Sequence, residues 1–438
     1  MDQTQGQKAL SAWPPFDRRQ GLIDRLVLIG LHLALLAALG WGLGWEFNSA
    51  DYLADSTQFL SLKELQTHLG RSLAHLICQP PLYNLLIGLS LKISPAHFTS
   101  WLFGWHILWS CLAIWAVYGL ARLLFGQRWL ALVLAAWLPS APDWLLYESW
   151  ANYTFPVMAQ GLVLVYLTCR YFRTRDLASL LAAAAVLNLM MLTRSLYHLL
   201  FGLVFCGGLV LFEPGRWRRT AAVLIVPTLV LTGGWYLKNH FQFGFWGASS
   251  WSYINLMRVV SHNRPPEFMK KHLAGTPQAY LYPVWRVCPG LFCDLVDHYF
   301  HALDHPQKGR VPVLHDLFEE NLDGTRLHRN MNNINYLIIN RDCRAAARRL
   351  IRADPWGYLA NVGTAYRHFI NPPTKYGYLK ANRDLIEGYA RWWERIVYAR
   401  LPWPGGKVTP VFFIYPLLVP CFLWAGWRWL RSRGGKER

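Results

Sequence analysis

Charge is scarce in this chain, and acidic charge is scarcest. Charged residues make up 16% of the 438 positions, with 25 Asp and Glu against 44 Lys and Arg. That scarcity argues against the two or three soluble domains that length alone allows. No Walker loop, Rossmann glycine pattern or nucleophile elbow is present, so nucleotide-driven chemistry is not expected. Internal repeats and low-complexity tracts are also missing. Residues 1–20 are polar and no small-residue cleavage site follows the first apolar run, so no cleavable signal peptide is expected. Cysteine is limited to 8 residues. Cys111, Cys169, Cys206 and Cys421 fall in apolar runs and read as small apolar fillers. Cys288, Cys293 and Cys343 leave two options open, one disulfide or free buried thiols.

What is abundant is apolar and aromatic. Hydrophobic residues reach 53%, with 23 Trp, 21 Tyr and 22 Phe. Apolar runs of roughly 17–25 residues recur, the length a helix needs to cross a bilayer. The expected fold class is an all-α polytopic membrane protein with about eight transmembrane helices. They are placed near 22–45, 98–120, 129–146, 154–171, 177–193, 199–211, 221–237 and 411–430. The amphipathic pattern over 58–76 and the apolar helix opened by Pro80-Pro81 read as juxtamembrane helices, about 57–93, lying flat at the interface. With that helix not crossing, the basic clusters around Arg122, Arg173, Arg218 and Arg431 fall on one side of the membrane. The positive-inside rule then places both termini in the cytoplasm and the loop after the first span outside. Four parts follow: a tail over 1–21, a transmembrane module over 22–240, an external helical domain over 241–409, and a last span with a basic tail over 410–438. The net charge of +19 is distributed as membrane-orienting clusters, so nucleic acid is not an expected partner and the bilayer is.

The external domain shows mainly helical signals: one helix opened by Pro265-Pro266-Glu267, others over 290–303, 325–352 and 355–370. His298, His301 and His305 share a helix face with Asp294 and Asp297 nearby, a spacing compatible with a metal ion, but no strict ligand motif is present and an exposed histidine-rich helix is the commoner outcome of such a pattern. Arg341, Arg344, Arg348, Arg349 and Arg352 form a basic stripe that faces either anionic head groups or solvent.

Polar residues converge on the outer end of the spans: Asp51 and Asp55, Asp143 and Glu148, Arg194 and His198, Lys238, Asn239 and His240. Acids and bases at a bilayer edge are costly unless paired or facing a wet cavity, which makes them site candidates. Carboxylates can take a proton from a hydroxyl nucleophile, and a cation beside them can hold a phosphate leaving group. The set suits transfer from a phospholipid-like donor to an acceptor on the outer face.

Several motifs resemble the GT-C class of polyprenyl-phosphate-sugar-dependent glycosyltransferases. The branch is that of protein O-mannosyltransferases and the lipid A aminoarabinose transferase. Asp55 is followed by Gln79-Pro80-Pro81-Leu82-Tyr83, similar to that branch's acidic residue and later paired-proline motif. Leu124-Phe125-Gly126-Gln127-Arg128 and Trp235-Tyr236-Leu237-Lys238-Asn239 continuing to Gly244 resemble two further turns, and Asp354-Pro355-Trp356 a helix start. The resemblance implies a polyprenyl-phosphate-sugar donor and a glycan, lipid or protein acceptor. It makes Asp55 the general base, Glu148 the second acid, and Asp51 a supporting acid. Where relatives carry a cation before the paired prolines this chain has Gln79, so Arg194 or Lys238 must hold the lipid phosphate, with Gln79, Tyr83 and Asn239 lining it. No cofactor is required by this reading, and a divalent ion remains an option. A ligase-like transferase using a diphosphate-linked donor, which leans on basic residues such as Arg341 and Arg344, and a lipid or sugar transporter are the competing readings.

Overall fold

The computed structural model describes residues 18–48, 53, 59–262, 264–279, 281, 311–370, 377–397, 401–403 and 406–408. The span expected over 411–430, the helix expected over 290–303, the histidine cluster, and Asp51 and Asp55 lie outside the described residues.

The chain enters on α1 (Arg18–Leu43), and two short helices, α2 (Leu62–Thr67) and α3 (Leu69–Ala74), lead to α4 (Leu82–Ile93). There follow α5 (Phe98–Phe125), α6 (Arg128–Trp137), α7 (Pro142–Glu148), α8 (Thr154–Thr174), α9 (Leu177–Thr193) and α10 (Leu199–Leu211). The bundle closes with α11 (Trp217–Pro227), a π turn over Thr228–Gly233, and α12 (Gly234–Phe243). Every apolar run expected between 22 and 243 is helical. Among the described residues, however, four helices are long and apolar enough to cross a bilayer, or five if the bent α6–α7 pair is one span. The 13 residues of α10 rise only about 20 Å, against a hydrocarbon core of about 30 Å. The 12-residue α4 is shorter still and buries Tyr83, Ile87 and Leu91 against its neighbours, consistent with a helix that does not cross.

Local chemistry sets the breaks. Gly126 and Gly244 stop α5 and α12 at φ 72° and 70°, a left-handed conformation that a side chain disfavours. Both belong to the turns noted in the sequence, so those motifs are helix stops. Asp176 opens α9 by accepting the Ser179 N–H at 2.7 Å. Pro227 supplies no N–H, and the helix after it widens into the π turn. Asn188 on α9 meets that turn, donating to Thr228 at 3.3 Å and accepting from Thr232 at 2.9 Å.

The two ends of the bundle differ. At one end the basic loops meet. Arg128 grips the buried Asp24 of α1 at 2.8 and 2.9 Å, Arg173 donates to the Leu123 carbonyl at 3.4 Å, and Arg175 pairs with Glu213. At the other end, Trp45 donates to Ser149 at 2.6 Å, and the Asn48 backbone bonds Ser149 and Ala151 at 2.8 and 3.0 Å.

Beyond α12 the chain forms α13 (Ser252–Ser261), α14 (Pro266–Leu273), α15 (Tyr336–Ala353), α16 (Pro355–Ile370) and α17 (Glu387–Ile396). The helix expected from 325 begins only at Tyr336. In its place β1 (Phe318–Glu320) pairs antiparallel with β2 (Arg326–Arg329). The side chains of Asn330, Asn332 and Asn333 then fill the gap with bonds to backbone groups, among them the Asn335 N–H, that compete with a helical ladder. A second short pair joins β3 (Leu401–Trp403) to β4 (Gly406–Val408). One apolar core runs from Phe59, Leu65, Leu76, Ile87 and Leu102 into Ile254, Met257, Ile339 and Leu350, so the loop after the first span is built into the later helices.

Candidate active site

The segment 74–79 is short, irregular and held on every side. Asn332 accepts the N–H groups of Ile77 and Cys78 at 2.6 and 3.0 Å and donates to the His75 carbonyl at 3.0 Å. The Ser250 N–H donates to the Ile77 carbonyl at 2.8 Å, and the Ser249 hydroxyl donates to the Cys78 carbonyl. Lys238 donates to the carbonyls of Leu76 and Ala74 at 2.7 and 3.3 Å, with its ammonium 3.7 Å from the Trp235 ring centroid. A backbone with this many fixed partners does not drift. Burial pushes the Cys78 thiol well above its usual range, which marks it as an inert packing group.

Gln79 ends the segment and accepts the Ser195 hydroxyl at 3.3 Å, which brings the paired-proline motif against the end of α9. Arg194 caps that helix. Its guanidinium stacks 5.0 Å from the Tyr153 ring and its Nη1 donates to Thr154 at 3.4 Å. Asn152 fixes this turn by accepting from the backbone and hydroxyl of Thr154 at 2.8 and 2.6 Å. Among the described residues no carboxylate pairs with Arg194. A half-buried guanidinium can bind an anion with several oxygens.

Tyr153 stands edge-on to Tyr83 and Phe59, with centroids 6.0 and 6.2 Å away. Phe59 stacks at 5.2 Å on Tyr83, and the Leu60 N–H donates to Asn84 at 2.9 Å. Leu53 and Phe59, on either side of Asp55, are both buried. Tyr83 is 1% exposed and its hydroxyl lies 2.9 Å from His106 Nε2, so it braces the site from within. His106 Nδ1 is 3.0 Å from the Glu148 carbonyl. A carbonyl only accepts, so Nδ1 carries hydrogen, and in the neutral tautomer that follows Nε2 accepts the Tyr83 hydroxyl.

Glu148 is completely buried. Its oxygens lie 3.0 and 3.1 Å from His32 Nε2 on α1, and that nitrogen is also 3.0 Å from the Ser110 hydroxyl, which accepts the Trp144 indole N–H at 3.1 Å. The carboxylate therefore points into the bundle. The imidazole borders a cavity of about 120 Å³ lined by Leu28, Leu31 and Ala135. Asn239 is buried too, donating to the Gly247 carbonyl at 2.7 Å, which ties α12 to the loop that holds Cys78.

Three contributors escaped sequence reading. His32 looked like an isolated polar residue in an apolar run. Asn332 is one of four asparagines within six residues, a density that could have signalled a backbone-binding loop. Glu319, 2% exposed on β1, accepts the Ser61 N–H, and burial raises its pKa to about 8. Among the described residues, no group of three or more His, Cys, Asp or Glu could hold a metal ion. Cys343 is a free, buried thiol.

A model of the dolichyl-phosphate-mannose-protein mannosyltransferase family matches residues 78–233. Over that segment the chain is similar to GT-C-type glycosyltransferases. No curated protein and no solved structure matches it. The matched segment covers less than half the chain, beginning in the clamped 74–79 loop and ending with the π turn. It holds Gln79, Tyr83, Glu148 and Arg194. The family is one of membrane glycosyltransferases, and the long apolar helices agree with that class.

Proposed function

We propose that the chain transfers a sugar from a polyprenyl-phosphate donor to an acceptor at the bundle end opposite the basic loops. The observation that carries this reading is Arg194, a cation with no carboxylate partner among the described residues, beside Gln79 and the Tyr153–Tyr83–Phe59 aromatic cluster. In this reading Asp55 is the base, and it lies in sequence between Leu53 and Phe59, which are both buried. It removes the acceptor hydroxyl proton, the freed oxygen bonds the anomeric carbon, and the sugar–phosphate bond breaks with inversion. The lipid phosphate leaves with the bonding electrons, and Arg194 holds its added charge. Lys238 is nearby but spends its donors on two carbonyls, so it shapes the 74–79 loop more than it binds phosphate. Glu148, turned to His32, supports the site through its backbone bond to His106, and Asp51 is a second acid of the same loop.

The same reading assigns eight crossings, with α9, α10 and residues 411–430 completing those of full length. Both termini face the cytoplasm of a bacterial inner membrane, and the site faces outward. Asp55→Asn is expected to insert and fold normally while losing transfer by at least about a hundredfold, a typical share for a general base. Arg194→Lys should retain more activity than Arg194→Ala. Turnover by purified, reconstituted enzyme with a polyprenyl-phosphate sugar measures both. Near-normal activity of Asp55→Asn, with activity lost on changing Arg341 or Arg344, would instead favour the diphosphate-donor mechanism.

A further inference from the structure

α16 is built inside out for a water-soluble surface. Its exposed side chains include Trp356 at 79%, Leu359 at 52%, Val362 at 39% and Tyr366 at 40%, spaced to share one side of the helix. Its polar Asn361 is the residue turned inward, 6% exposed and donating to the carbonyls of His262 and Val260 at 2.6 and 3.5 Å. Apolar residues out and amide in is the orientation of a helix whose outer medium is lipid.

The preceding helix supplies the matching charge. On α15, Arg341, Arg344, Arg348 and Arg352 lie along one side, flanked by Arg349, and all are exposed. The buried Ile339, Cys343, Ala346 and Leu350 occupy the opposite side. Arg341 has a contact at 3.8 Å with Asp342; among the described residues no carboxylate pairs with the other arginines of the row. Like charges at i and i+4 repel, so the row is unfavourable until it meets an anionic surface. The joint between the helices is fixed. Asp354 accepts the Gly357 N–H at 2.8 Å and binds Arg264 at 2.5 Å.

We propose that the α15–α16 hairpin docks on the bilayer surface of the same membrane, with the α16 stripe in the acyl boundary and the α15 arginines on anionic phosphate head groups. Charge complementarity selects this occupant: aromatic and aliphatic groups beside a row of exposed arginines fit the layered chemistry of a lipid interface. Docking holds the late helices, and through the shared core the 74–79 loop, at one height over the membrane. The inference is independent of which sugar donor the site uses.

The test places the full chain in nanodiscs containing phosphatidylglycerol with an acyl-chain diazirine. Irradiation followed by peptide mass spectrometry then maps the adducts. Adducts are expected within 355–366, falling several-fold in an R344Q/R348Q/R352Q variant, in W356S/L359S, and when the probe and host lipid are neutral phosphatidylcholine. All five positions are exposed, so these variants should fold. Labelling of 355–366 no stronger than that of the solvent-facing turn at Lys63 would overturn the proposal. So would labelling indifferent to both lipid charge and the arginines. Photo-cross-links from a benzoylphenylalanine placed at position 359 to residues 409–438, in place of lipid adducts, would show that the chain covers this face itself, and would equally overturn it.

Discussion

At the scale of single residues, burial decides what a charged side chain can do. Glu148 and Arg194 both stand at ends of apolar helices, and sequence alone gives them similar promise. Glu148 is fully enclosed with His32, whereas Arg194 is only half-buried and has no carboxylate partner among the described residues. Removing one partner of an enclosed pair strands the other, at about 1–3 kcal/mol for an unsatisfied buried group. Glu148→Ala should therefore lower the apparent melting temperature in detergent more than Glu148→Gln, which keeps a hydrogen-bonding side chain. In a double-mutant cycle, His32→Ala with Glu148→Ala should cost less than the sum of the two by about 0.5–3 kcal/mol. Strict additivity would show that the contact is not energetically real.

At the scale of elements, the 74–79 loop depends on groups from three other segments. Asn332 alone satisfies two buried N–H groups and one buried carbonyl of this loop. Asn332→Ala leaves them unmet, and a loss of about 3 kcal/mol or more is expected from the desolvated groups together. Because Gln79 is displaced with the loop, transfer activity should fall even where the variant remains folded. Hydrogen exchange checks this directly: the amides of Ile77 and Cys78 should lose protection in Asn332→Ala, while those of α8 keep theirs. Unchanged protection at Ile77 and Cys78 would refute the clamp. This loop was only half legible. Pro80-Pro81 announced the helix that follows, since proline suits a first helical turn. The asparagine clamp lies 255 positions away from Ile77, beyond the range of any periodicity.

At the scale of the whole molecule, the basic loops meet at one end of the bundle and the candidate site lies at the other. This separation gives the proposed orientation a direct check. A cysteine introduced at exposed Lys271, in α14, should react with a membrane-impermeant maleimide in intact spheroplasts. One at exposed Arg218 should react only after the membrane is opened. Reaction of both from the same side would overturn the arrangement of crossings.

The sequence by itself determined the membrane class, the position of each apolar helix between 22 and 243, the helix stops at Gly126 and Gly244, and the candidate status of Arg194 and Gln79. Class and helix positions follow from composition and local spacing, which a linear chain displays; the glycine turns and Gln79 came with the family resemblance. Tertiary structure alone decided that Glu148 faces inward, that Lys238 is committed to backbone carbonyls, and that Tyr83 is a buried brace. Those outcomes depend on partners such as His32, 116 positions from Glu148, and Leu76, 162 positions from Lys238. Hydrogen bonding and burial act across space, so a side chain's freedom to do chemistry is settled only when the chain has brought its distant neighbours into place.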